Sequence, residues 1–508
     1  MNQRKISYLT STLFILLGGA ALFLTGQARE IESAFDPAIP KTWDDQAMAS
    51  LEVPLADPAG SPVHVSADYY YRIPERPLYK SYPVYAPGKE PIGYEEWLKQ
   101  QEPETAFDAS KLKTREDWIR AGEIVFDAAL FYNAIVQPAY VKDPAWYEKT
   151  GTPVAKDGTV PFFRYVIREK GKIEMGTVSC GMCHTRVIAD GTVVKGAQGN
   201  FPFELVAALN AKPRMPAEQA RAFERAFFGA PWIKPDRQAG LDQTSTETIF
   251  EWHAAIPPGV IARQGTSPFS PAQIPDLIGI KDRKYLDHTG LQLHRSIADL
   301  MRYSALNQGA SDLASFGGFV PAARRDFRTL PDPRSQFRYS DEQLYALALY
   351  IYSLTPPANP NKFDALAERG QKVFQNQGCA LCHTPPLYTN NKLTPVDGFN
   401  VPADHPKKYD ILSMSVGTDP QLALKTRRGT GYYKVPSLRG VWYRGPFEHN
   451  GSAKTLEDWF DTNRLNDDYV PTGFKGYGVK ARAVKGHEFG LNLSKEDKKA
   501  LIAFLKTL

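Results

Sequence analysis

The chain has little cysteine, little histidine and only a small excess of positive charge. Only 4 of its 508 residues are cysteine, which is too few for a disulfide scaffold. Its 61 lysines and arginines nearly balance its 56 aspartates and glutamates, so nothing indicates a nucleic-acid partner. Hydrophobic residues at 43% and charged residues at 23% are close to the averages of globular proteins, which excludes a disordered chain and a polytopic membrane protein. The length supports two to four domains of ordinary size.

The long apolar run of the sequence stands at the N-terminus. Arg4 and Lys5 precede residues 13–24 (Leu-Phe-Ile-Leu-Leu-Gly-Gly-Ala-Ala-Leu-Phe-Leu), and small residues follow up to Ala28. This order predicts an export signal over residues 1–28. The apolar core of about twelve residues is short for a membrane span of about 20, so we expect cleavage after Ala28, with retention as an inner-membrane anchor as the alternative. Either outcome predicts a periplasmic protein, in which free thiols oxidise unless they are chemically consumed.

All four cysteines fall in two copies of one pattern, C-x-x-C-H. The copies are Cys180-Gly-Met-Cys183-His184 and Cys379-Ala-Leu-Cys382-His383. This pattern is the attachment signature of haem c, because two thiols three residues apart can each bond one edge of a porphyrin while the adjacent imidazole binds the iron. A zinc site would need its ligands close together in sequence, whereas these pairs lie almost 200 residues apart. The sequence therefore predicts two covalently bound haems c, with His184 and His383 as proximal ligands.

Further short patterns recur in the same order around the two cysteine motifs. A Gly-x-x-Val-Phe pattern precedes each motif, at residues 122–126 and 370–374. A Pro-x-Leu-x-Gly pattern follows each motif, and thirteen residues after its proline stands a histidine, His288 in the first copy and His449 in the second. The repeated order and the equal spacing indicate an internal duplication.

The two halves end in matching amphipathic segments, residues 340–354 and 494–508. Each begins with a serine suited to cap a helix and carries apolar residues at helical spacing. We therefore predict an all-α fold of two cytochrome c-type domains, residues 116–355 and 361–508, separated by a proline-rich seam. Ahead of them, the proline- and tyrosine-rich residues 29–115 are predicted to form a long ordered arm on the surface, with a flexible tail as the alternative.

Three stretches of the second half carry a family resemblance. Residues 433–441 (Tyr-Lys-Val-Pro-Ser-Leu-Arg-Gly-Val), 445–452 (Gly-Pro-Phe-Glu-His-Asn-Gly-Ser) and 455–457 (Thr-Leu-Glu) resemble the bacterial di-haem cytochrome c peroxidase superfamily. That superfamily includes the MauG enzymes and, more distantly, the RoxA-type rubber oxygenases. The resemblance covers roughly residues 116–508, strongly in the second half and loosely in the first. It implies two cytochrome c domains facing each other, one haem for electron transfer and the other for peroxide or oxygen chemistry.

Two features depart from the peroxidase pattern. Those enzymes carry a methionine ligand shortly after the Thr-Leu-Glu segment, where residues 459–464 supply none. They also carry a distal histidine after the first haem motif, where residues 199–201 read Gly-Asn-Phe. Peroxidase activity is therefore left open. In place of the methionine, His487 lies in a glycine-flanked loop before the last helix, a placement that resembles the distal histidine of the RoxA-like branch.

His487 is accordingly predicted to be the sixth ligand of the second iron, giving a bis-histidine haem suited to electron transfer. Met414 is the alternative ligand, and a plain surface role for His487 is another alternative. In the first half the corresponding position is Pro333, which cannot coordinate iron. We therefore expect the first haem, bound by His184, to have a vacant or weakly held distal position.

Two other histidines are candidate catalytic residues. His253 lies in a stretch unique to the first half and is a candidate acid or base beside the open iron, although a lone histidine is more often exposed or satisfied by hydrogen bonds. His288 is the second candidate. Because it shares its position with His449, bonding a haem propionate or orienting a loop is the alternative interpretation.

These features predict a periplasmic di-haem oxidoreductase in which peroxide or oxygen reacts at the first haem and electrons pass through the second. An insertion of about fifty residues between Phe126 and Cys180 and the missing distal ligand favour an enzyme. A non-catalytic electron-transfer cytochrome and a RoxA-like oxygenase acting on an organic substrate are the alternatives. The expected partners are a small redox protein and peroxide, oxygen or a small organic molecule.

Overall fold

The computed structural model describes residues 35–211, 215–321 and 337–508. The predicted export signal at residues 1–28 and the position of Pro333 lie outside these residues. Within them, none of the helices has the length and apolar character needed to cross a lipid bilayer. Export, with cleavage or with an N-terminal anchor, therefore stays a prediction.

The N-terminal extension is ordered from residue 35 onward. Its elements are α1 (Asp45–Ala49), β1 (Pro62–His64), α2 (Ala67–Arg72), β2 (Ser81–Tyr85) and α3 (Tyr94–Lys99). The Trp43 ring stacks on Tyr70 with 4.4 Å between centroids, and its indole N–H donates to the Val65 carbonyl at 2.8 Å. Both rings are buried in one core with the helices of the first domain. The extension is thus part of that core, whereas the sequence suggested an arm on the surface.

The first domain contains helices of very different lengths and several short strands. Its helices are α4 (Arg115–Asp127), α5 (Pro138–Val141), α6 (Pro144–Thr150), α7 (Cys180–Cys183), α8 (Phe203–Ala211), α9 (Ala217–Phe228), α10 (Thr246–Ala254), α11 (Ile297–Leu313) and α12 (Asp341–Ser353). Its strands are β3 (Phe131–Tyr132), β4 (Thr159–Glu169), β5 (Lys172–Thr177), β6 (Thr185–Val187), β7 (Val193–Lys195), β8 (Val260–Ile261), β9 (Ala272–Gln273) and β10 (Ala314–Phe316).

The strands correct the prediction of an all-α fold. A four-stranded antiparallel sheet has the order β2–β4–β5–β3, so it joins the N-terminal extension to the insertion ahead of the first haem motif. Strand β4 is rich in β-branched and aromatic residues, which favour a pleated, half-buried surface. Its Phe162 and Phe163 side chains are buried in the core of this layer. Helix α7, which carries the first cysteine pair, packs against β4.

The second domain is smaller and joins its elements by long loops. These elements are α13 (Ala365–Asn376), β11 (Leu393–Pro395), α14 (His405–Lys408), α15 (Gln421–Leu424), β12 (Tyr432–Lys434), α16 (Leu456–Trp459) and α17 (Lys495–Lys506). Strands β11 and β12 pair antiparallel. Helix α17 begins after the N-cap Ser494, as α12 begins after Ser340. Both terminal helices therefore stand where the sequence predicts them.

The same close helix crossing occurs in both domains. Helix α4 packs against α12, and α13 packs against α17. A Cβ atom on Gly122 would lie 2.0 Å from the carbonyl oxygen of Ala346, and a Cβ atom on Gly370 would lie 1.9 Å from that of Ala500. Because neither crossing has room for a side chain, glycine is required in both, which explains why the Gly-x-x-Val-Phe pattern recurs.

Candidate haem-binding sites

The first cysteine motif forms a single helical turn. The hydroxyl of Ser179 caps this turn by accepting a hydrogen bond from the Met182 amide at 3.0 Å. The His184 amide donates to the Cys180 carbonyl at 2.8 Å, which closes the turn from the first cysteine to the histidine. The turn keeps the two thiols and the imidazole close together, as covalent haem attachment requires.

The second cysteine motif closes the same turn. The His383 amide donates to the Cys379 carbonyl at 2.9 Å. The turn follows Gly378, whose φ of 71° lies in the left-handed region that favours glycine. All four cysteines of the chain are partly exposed and free of disulfides. The thiols of both motifs are therefore accessible for thioether bonds.

The two predicted proximal histidines are oriented in the same way. The Nδ1 of His184 lies 3.0 Å from the carbonyl oxygen of Pro275, and the Nδ1 of His383 lies 3.1 Å from that of Pro436. Because a carbonyl only accepts, Nδ1 carries the proton in each ring and Nε2 is left to bind a metal. Burial lowers the pKa of His184 to about 4 and also lowers the pKa of His383. Both rings are therefore neutral near pH 7, as iron ligands must be.

Main-chain hydrogen bonds pair the two domains reciprocally. Two residues ahead of each of these prolines, an amide donates to a histidine carbonyl of the other domain: Gln273 to His449 at 2.7 Å, and Lys434 to His288 at 2.9 Å. Each domain thus uses the same two sequence positions to contact the other, which is the pattern of a two-fold interface. His288 and His449 hold the domains together through their carbonyls.

A cavity of about 460 Å³ opens beside the second cysteine motif. Cys379, Cys382 and His383 form part of its wall. Around these three residues the wall is mainly apolar and includes Phe374, Leu438, Val441, Leu456, Phe460, Leu501 and Leu505. A cavity of this size is typical of a cofactor pocket. Two thiols and an imidazole within an apolar cradle fit a covalently bound haem c.

His487 enters the same cavity from the loop ahead of α17. Its ring centroid lies 6.5 Å from that of His383, with the ring planes inclined at 62°. Two imidazoles that bind opposite sides of one metal ion through nitrogen at about 2 Å have ring centroids about 6 to 6.5 Å apart. Burial, followed by the nearby His383, lowers the pKa of His487 to about 3, so this ring is neutral as well. The spacing is compatible with a single iron between the two rings.

Met414, the alternative sixth ligand, lies at the rim of this cavity. Its side chain is 60% exposed, and its carbonyl accepts a hydrogen bond from the Thr394 hydroxyl at 3.1 Å. His487, by contrast, is partly buried and its imidazole lines the cavity. The geometry therefore favours His487 over Met414.

Three cationic side chains, Arg283, Lys434 and Arg444, line the polar end of the cavity. Burial, followed by the charge of Arg283, lowers the pKa of Lys434 to about 7. The Lys434 ammonium donates to the Tyr285 carbonyl at 3.1 Å, and the Nε of Arg444 has no hydrogen-bond partner within the described ranges. Buried donors of this kind suit the carboxylates of haem propionates. Sequence analysis missed them, although Lys434 stands two residues ahead of the repeated proline.

His253 belongs to a buried ion triad. Its Nδ1 lies 2.6 Å from a carboxylate oxygen of Glu204, and its Nε2 lies 2.6 Å from one of Glu224. Burial lowers the pKa of His253, but the two carboxylates outweigh burial and raise it to about 10. Both ring nitrogens are thus occupied in an imidazolium that ties α10 to α8 and α9. This geometry favours a structural role over the predicted acid or base role, because no ring nitrogen is left free.

His288, the other catalytic candidate, lines the cavity of the second motif. Its Nε2 donates to the Gln273 carbonyl at 2.7 Å. Burial lowers its pKa to about 3, so the ring is neutral. The structure therefore places His288 beside the second haem site, whereas the predicted chemistry belongs to the first.

The first motif has no counterpart of His487 that the sequence or the structure identifies. Residues 322–336, which correspond in sequence to the segment around His487, lie outside the described residues and include no histidine, methionine, lysine or tyrosine. The remaining histidines of the chain have partners elsewhere: His64 beside Glu52, His294 bonded to Tyr352, and His405 bonded to Tyr432.

Residues 199–201 stand where the peroxidases carry their distal histidine. In this chain they have structural roles. The Asn200 side chain bonds both the amide and the carbonyl of Val187, at 3.0 and 2.8 Å. Phe201 is buried beneath the four-stranded sheet. A Cβ atom on Gly199 would lie 2.0 Å from the carbonyl oxygen of Cys183. These residues pack the first motif in place and offer no iron ligand.

The comparisons with known proteins give partial matches. No protein-family profile matches the chain. It is 26% identical to cytochrome-c peroxidase IdrP1 of Denitromonas iodatirespirans over 166 residues, which are 28% of this chain and 40% of that protein. It is 30% identical to hydrazine synthase subunit gamma of Kuenenia stuttgartiensis over 162 residues, which are 27% of this chain and 46% of that protein. The chain therefore spans less than half the length of these curated relatives.

Among solved structures, the chain is similar to a MauG-like protein associated with microbial copper homeostasis. The TM-score is 0.27 and the identity 18%, over 58% of this chain and 89% of that one. The sequence matches confirm the predicted resemblance to cytochrome c peroxidases at low identity and over part of the chain.

Proposed function

We propose that this chain is an exported di-haem c-type cytochrome oxidoreductase whose two irons have different duties. His184 would hold the first haem, which would supply the chemistry of peroxide or oxygen. His383 and His487 would hold the second haem, which would supply electron transfer from a small redox protein. The curated relatives named as a peroxidase and as a hydrazine synthase subunit support an oxidoreductase.

The observation that carries this proposal is the pair of rings in the second domain. The 6.5 Å between the centroids of His383 and His487 suits two axial ligands of one iron, and the first domain has no identified counterpart of His487. Haem iron supplies redox chemistry, and it binds oxygen or peroxide where an axial position is free. The difference between the two sites therefore assigns electron transfer to the second haem and substrate chemistry to the first.

The surrounding residues of the second site perform three tasks in this proposal. The carbonyl of Pro436 fixes the tautomer and orientation of His383. The apolar core around α13 and α17 excludes water from the porphyrin edge. Lys434 and Arg444, which line the cavity, would bind the haem propionates and keep the charge of these carboxylates from being buried unpaired.

The proposed arrangement arose by duplication of one cytochrome c domain. Three matched features support this origin: the closed turn of each cysteine motif, the glycine at each helix crossing, and the reciprocal amide bonds between the domains. A periplasmic location follows from the predicted export signal and from covalent haem attachment, which takes place after export.

Peroxide turnover tests the proposed activity. Purified holoprotein is mixed with hydrogen peroxide and a reduced electron donor, and oxidation of the donor is followed by absorbance. We expect turnover that depends on peroxide and stops when cyanide occupies one haem per chain. One cyanide-binding haem without turnover indicates an oxygenase acting on an organic substrate. Two haems that bind no cyanide contradict the proposal and indicate an electron carrier.

A substitution tests the ligand assignment separately. His487→Ala should convert the second haem from low-spin to high-spin in the EPR spectrum and leave the first haem unchanged. His405→Ala is the matched control, because His405 is a buried histidine of the same domain that bonds Tyr432 instead. An unaltered spectrum in His487→Ala would show that another residue, such as Met414, binds the second iron.

A further inference from the structure

Arg464 is a buried cation of the second domain with no carboxylate in ion-pair contact within the described ranges. It lies in the short 3₁₀ helix Thr462–Leu465 and is 1% exposed. Its guanidinium donates to three main-chain carbonyls: that of Trp459 at 2.8 Å, that of Val484 at 2.6 Å and that of His487 at 2.7 Å. One side chain thus joins the end of α16 to two points of the loop that carries His487.

Burial of the Arg464 guanidinium without an ion-pair partner is unfavourable for the free energy of folding. Burying a charge against neutral carbonyls gives up hydration without the compensation of an ion pair. Burial lowers the pKa of Arg464, but a guanidinium keeps its charge in proteins. Its rigid, planar fork of donors suits the task of holding several carbonyls at fixed positions. Two of these carbonyls belong to Val484 and His487 itself.

Two ring contacts lead from Arg464 to the imidazole of His487. The guanidinium lies 4.2 Å from the centroid of the Trp459 ring, and the Trp459 ring meets the His487 ring edge to face, with 5.4 Å between centroids. Gly486 lies against the same indole, where a Cβ atom would be only 2.6 Å away. The loop is thus clamped on its main chain by Arg464 and on its side chain by Trp459.

The His487 ring lacks the restraint that orients the proximal rings. The Nδ1 atoms of His184 and His383 each face a proline carbonyl. The Nδ1 of His487 is buried and has no hydrogen-bond partner in the part of the chain that the structure describes. Its orientation must therefore come from the main chain and from packing.

We propose that Arg464 is the residue that positions the sixth ligand of the second haem. It fixes the main chain of His487 directly and the ring through Trp459, without bonding the imidazole itself. This inference rests on the proposed function, because it takes His487 to be an iron ligand. Partners that orient metal ligands are worth about 10- to 100-fold in metal affinity, and Arg464 is expected to have an effect of that size.

Arg464→Gln in the full-length holoprotein tests the inference. Glutamine keeps a hydrogen-bond donor but cannot reach three carbonyls or stack as a cation on Trp459. We expect the second haem to become partly high-spin in EPR and to take up carbon monoxide after reduction, with about tenfold weaker binding of His487 to the iron. Added imidazole should restore the low-spin signal, because it replaces the misplaced ligand. Arg464→Lys should give an intermediate loss.

Arg482 provides a matched control. It is a partly buried arginine five residues ahead of His487 in the same loop, and its guanidinium donates to the carbonyls of Lys475, Phe474 and Ala483. Arg482→Gln therefore removes a similar set of bonds without touching the main chain of His487. It is expected to lower the midpoint of thermal unfolding while the second haem stays low-spin.

The outcomes separate the inference from the proposed function. If Arg464→Gln lowers stability as Arg482→Gln does but keeps the wild-type spin state and carbon monoxide response, Arg464 is structural and the inference is wrong, while the proposed function stands. If Arg464→Gln does not accumulate, Arg464→Lys gives the same readout. If His487→Ala leaves the second haem low-spin, both the ligand assignment and the inference are overturned.

Discussion

In both domains a cysteine motif closes one helical turn, and a proline carbonyl fixes the ring of the proximal histidine, Pro275 for His184 and Pro436 for His383. On the far side of the iron position the domains differ. The second domain presents His487 at 6.5 Å from its proximal ring, on a loop held by a buried arginine. The corresponding residues of the first half, 322–336, lie outside the described part of the chain, and their sequence includes no histidine, methionine, lysine or tyrosine.

This difference shows which parts of a haem site are local in sequence and which are not. The turn of each cysteine motif is local, whereas the proline whose carbonyl orients the histidine lies 91 residues away in the first domain and 53 in the second. Both the turn and the proline are repeated. The distal side depends on a loop more than a hundred residues from the cysteines in the second domain, and such loops change without disturbing the turn. Two related domains can therefore keep the same attachment chemistry and acquire different reactivity.

The largest effect on the difference between the two domains is expected when one haem attachment site is removed. Cys379→Ser combined with Cys382→Ser should reduce covalent haem from two per chain to one, because each thioether needs its thiol. Haem is counted as the pyridine haemochrome of the denatured protein. The mirror variant, Cys180→Ser with Cys183→Ser, should give the same count. A doubly substituted chain that keeps two covalent haems argues against independent sites.

The equivalence of the two helix crossings can be tested with Gly122→Ala and Gly370→Ala. An alanine in a helix is normally stabilising relative to glycine, but here the added Cβ meets a carbonyl oxygen of the facing helix. We expect each variant to lose about 1–3 kcal/mol of unfolding free energy through overpacking, measured by urea denaturation. Gly240→Ala is the control, since nothing lies within 4 Å of its Cβ position. A neutral Gly370→Ala would show that the second crossing is looser than the first.

The ion triad of the first domain predicts a pH dependence. The pKa of His253 is raised to about 10 in the folded protein, above about 6.5 in an unfolded chain. Its contribution to stability is therefore full below about pH 6.5 and is lost as the pH rises through about 10. Between pH 7 and 9 we expect the free energy of unfolding to fall by about 2 kcal/mol, because a pKa difference of one unit corresponds to about 1.36 kcal/mol. The triple variant Glu204→Gln, Glu224→Gln, His253→Met should lack this slope, and an unchanged slope would show that His253 does not carry it.

The smallest effect is expected for a variant of Met414, the alternative sixth ligand of the second iron. Met414→Leu removes the alternative sixth ligand but keeps the volume of the side chain. Because Met414 lies at the exposed rim of the cavity, the absorption and EPR spectra of the second haem should stay as in the wild type. A change from low-spin to high-spin in this variant would transfer the role of ligand from His487 to Met414.

The sequence predicted the turns of the haem motifs and both terminal helices, because each of these is a short pattern that occurs twice. The asymmetry between His487 and Pro333 stays a prediction, since Pro333 lies outside the described residues. Sequence analysis missed the four-stranded sheet, since β2 and β4 pair across more than seventy residues and neither strand shows a strict alternation. The burial of Trp43 and Tyr70 was missed for the same reason, because a core shared between distant segments leaves no local period.

The roles of single polar residues were the least predictable. His253 looked like a free histidine because its partners Glu204 and Glu224 lie on two other helices. Arg464 looked like one basic residue among many, since its three carbonyl partners carry no signal in a sequence. His288 and His449 stood out by their matched spacing, but it is their carbonyls that make the reciprocal bonds.

Carbon monoxide binding to the dithionite-reduced holoprotein tests the central claim most directly. An iron with a free axial position binds carbon monoxide readily, whereas a bis-histidine iron resists it. A titration followed at the Soret band, referred to the haem content of the same sample, counts the haems that respond. The account predicts that one haem of the two responds in the wild type and both respond in His487→Ala. A wild-type protein in which both haems respond, or neither does, would contradict it.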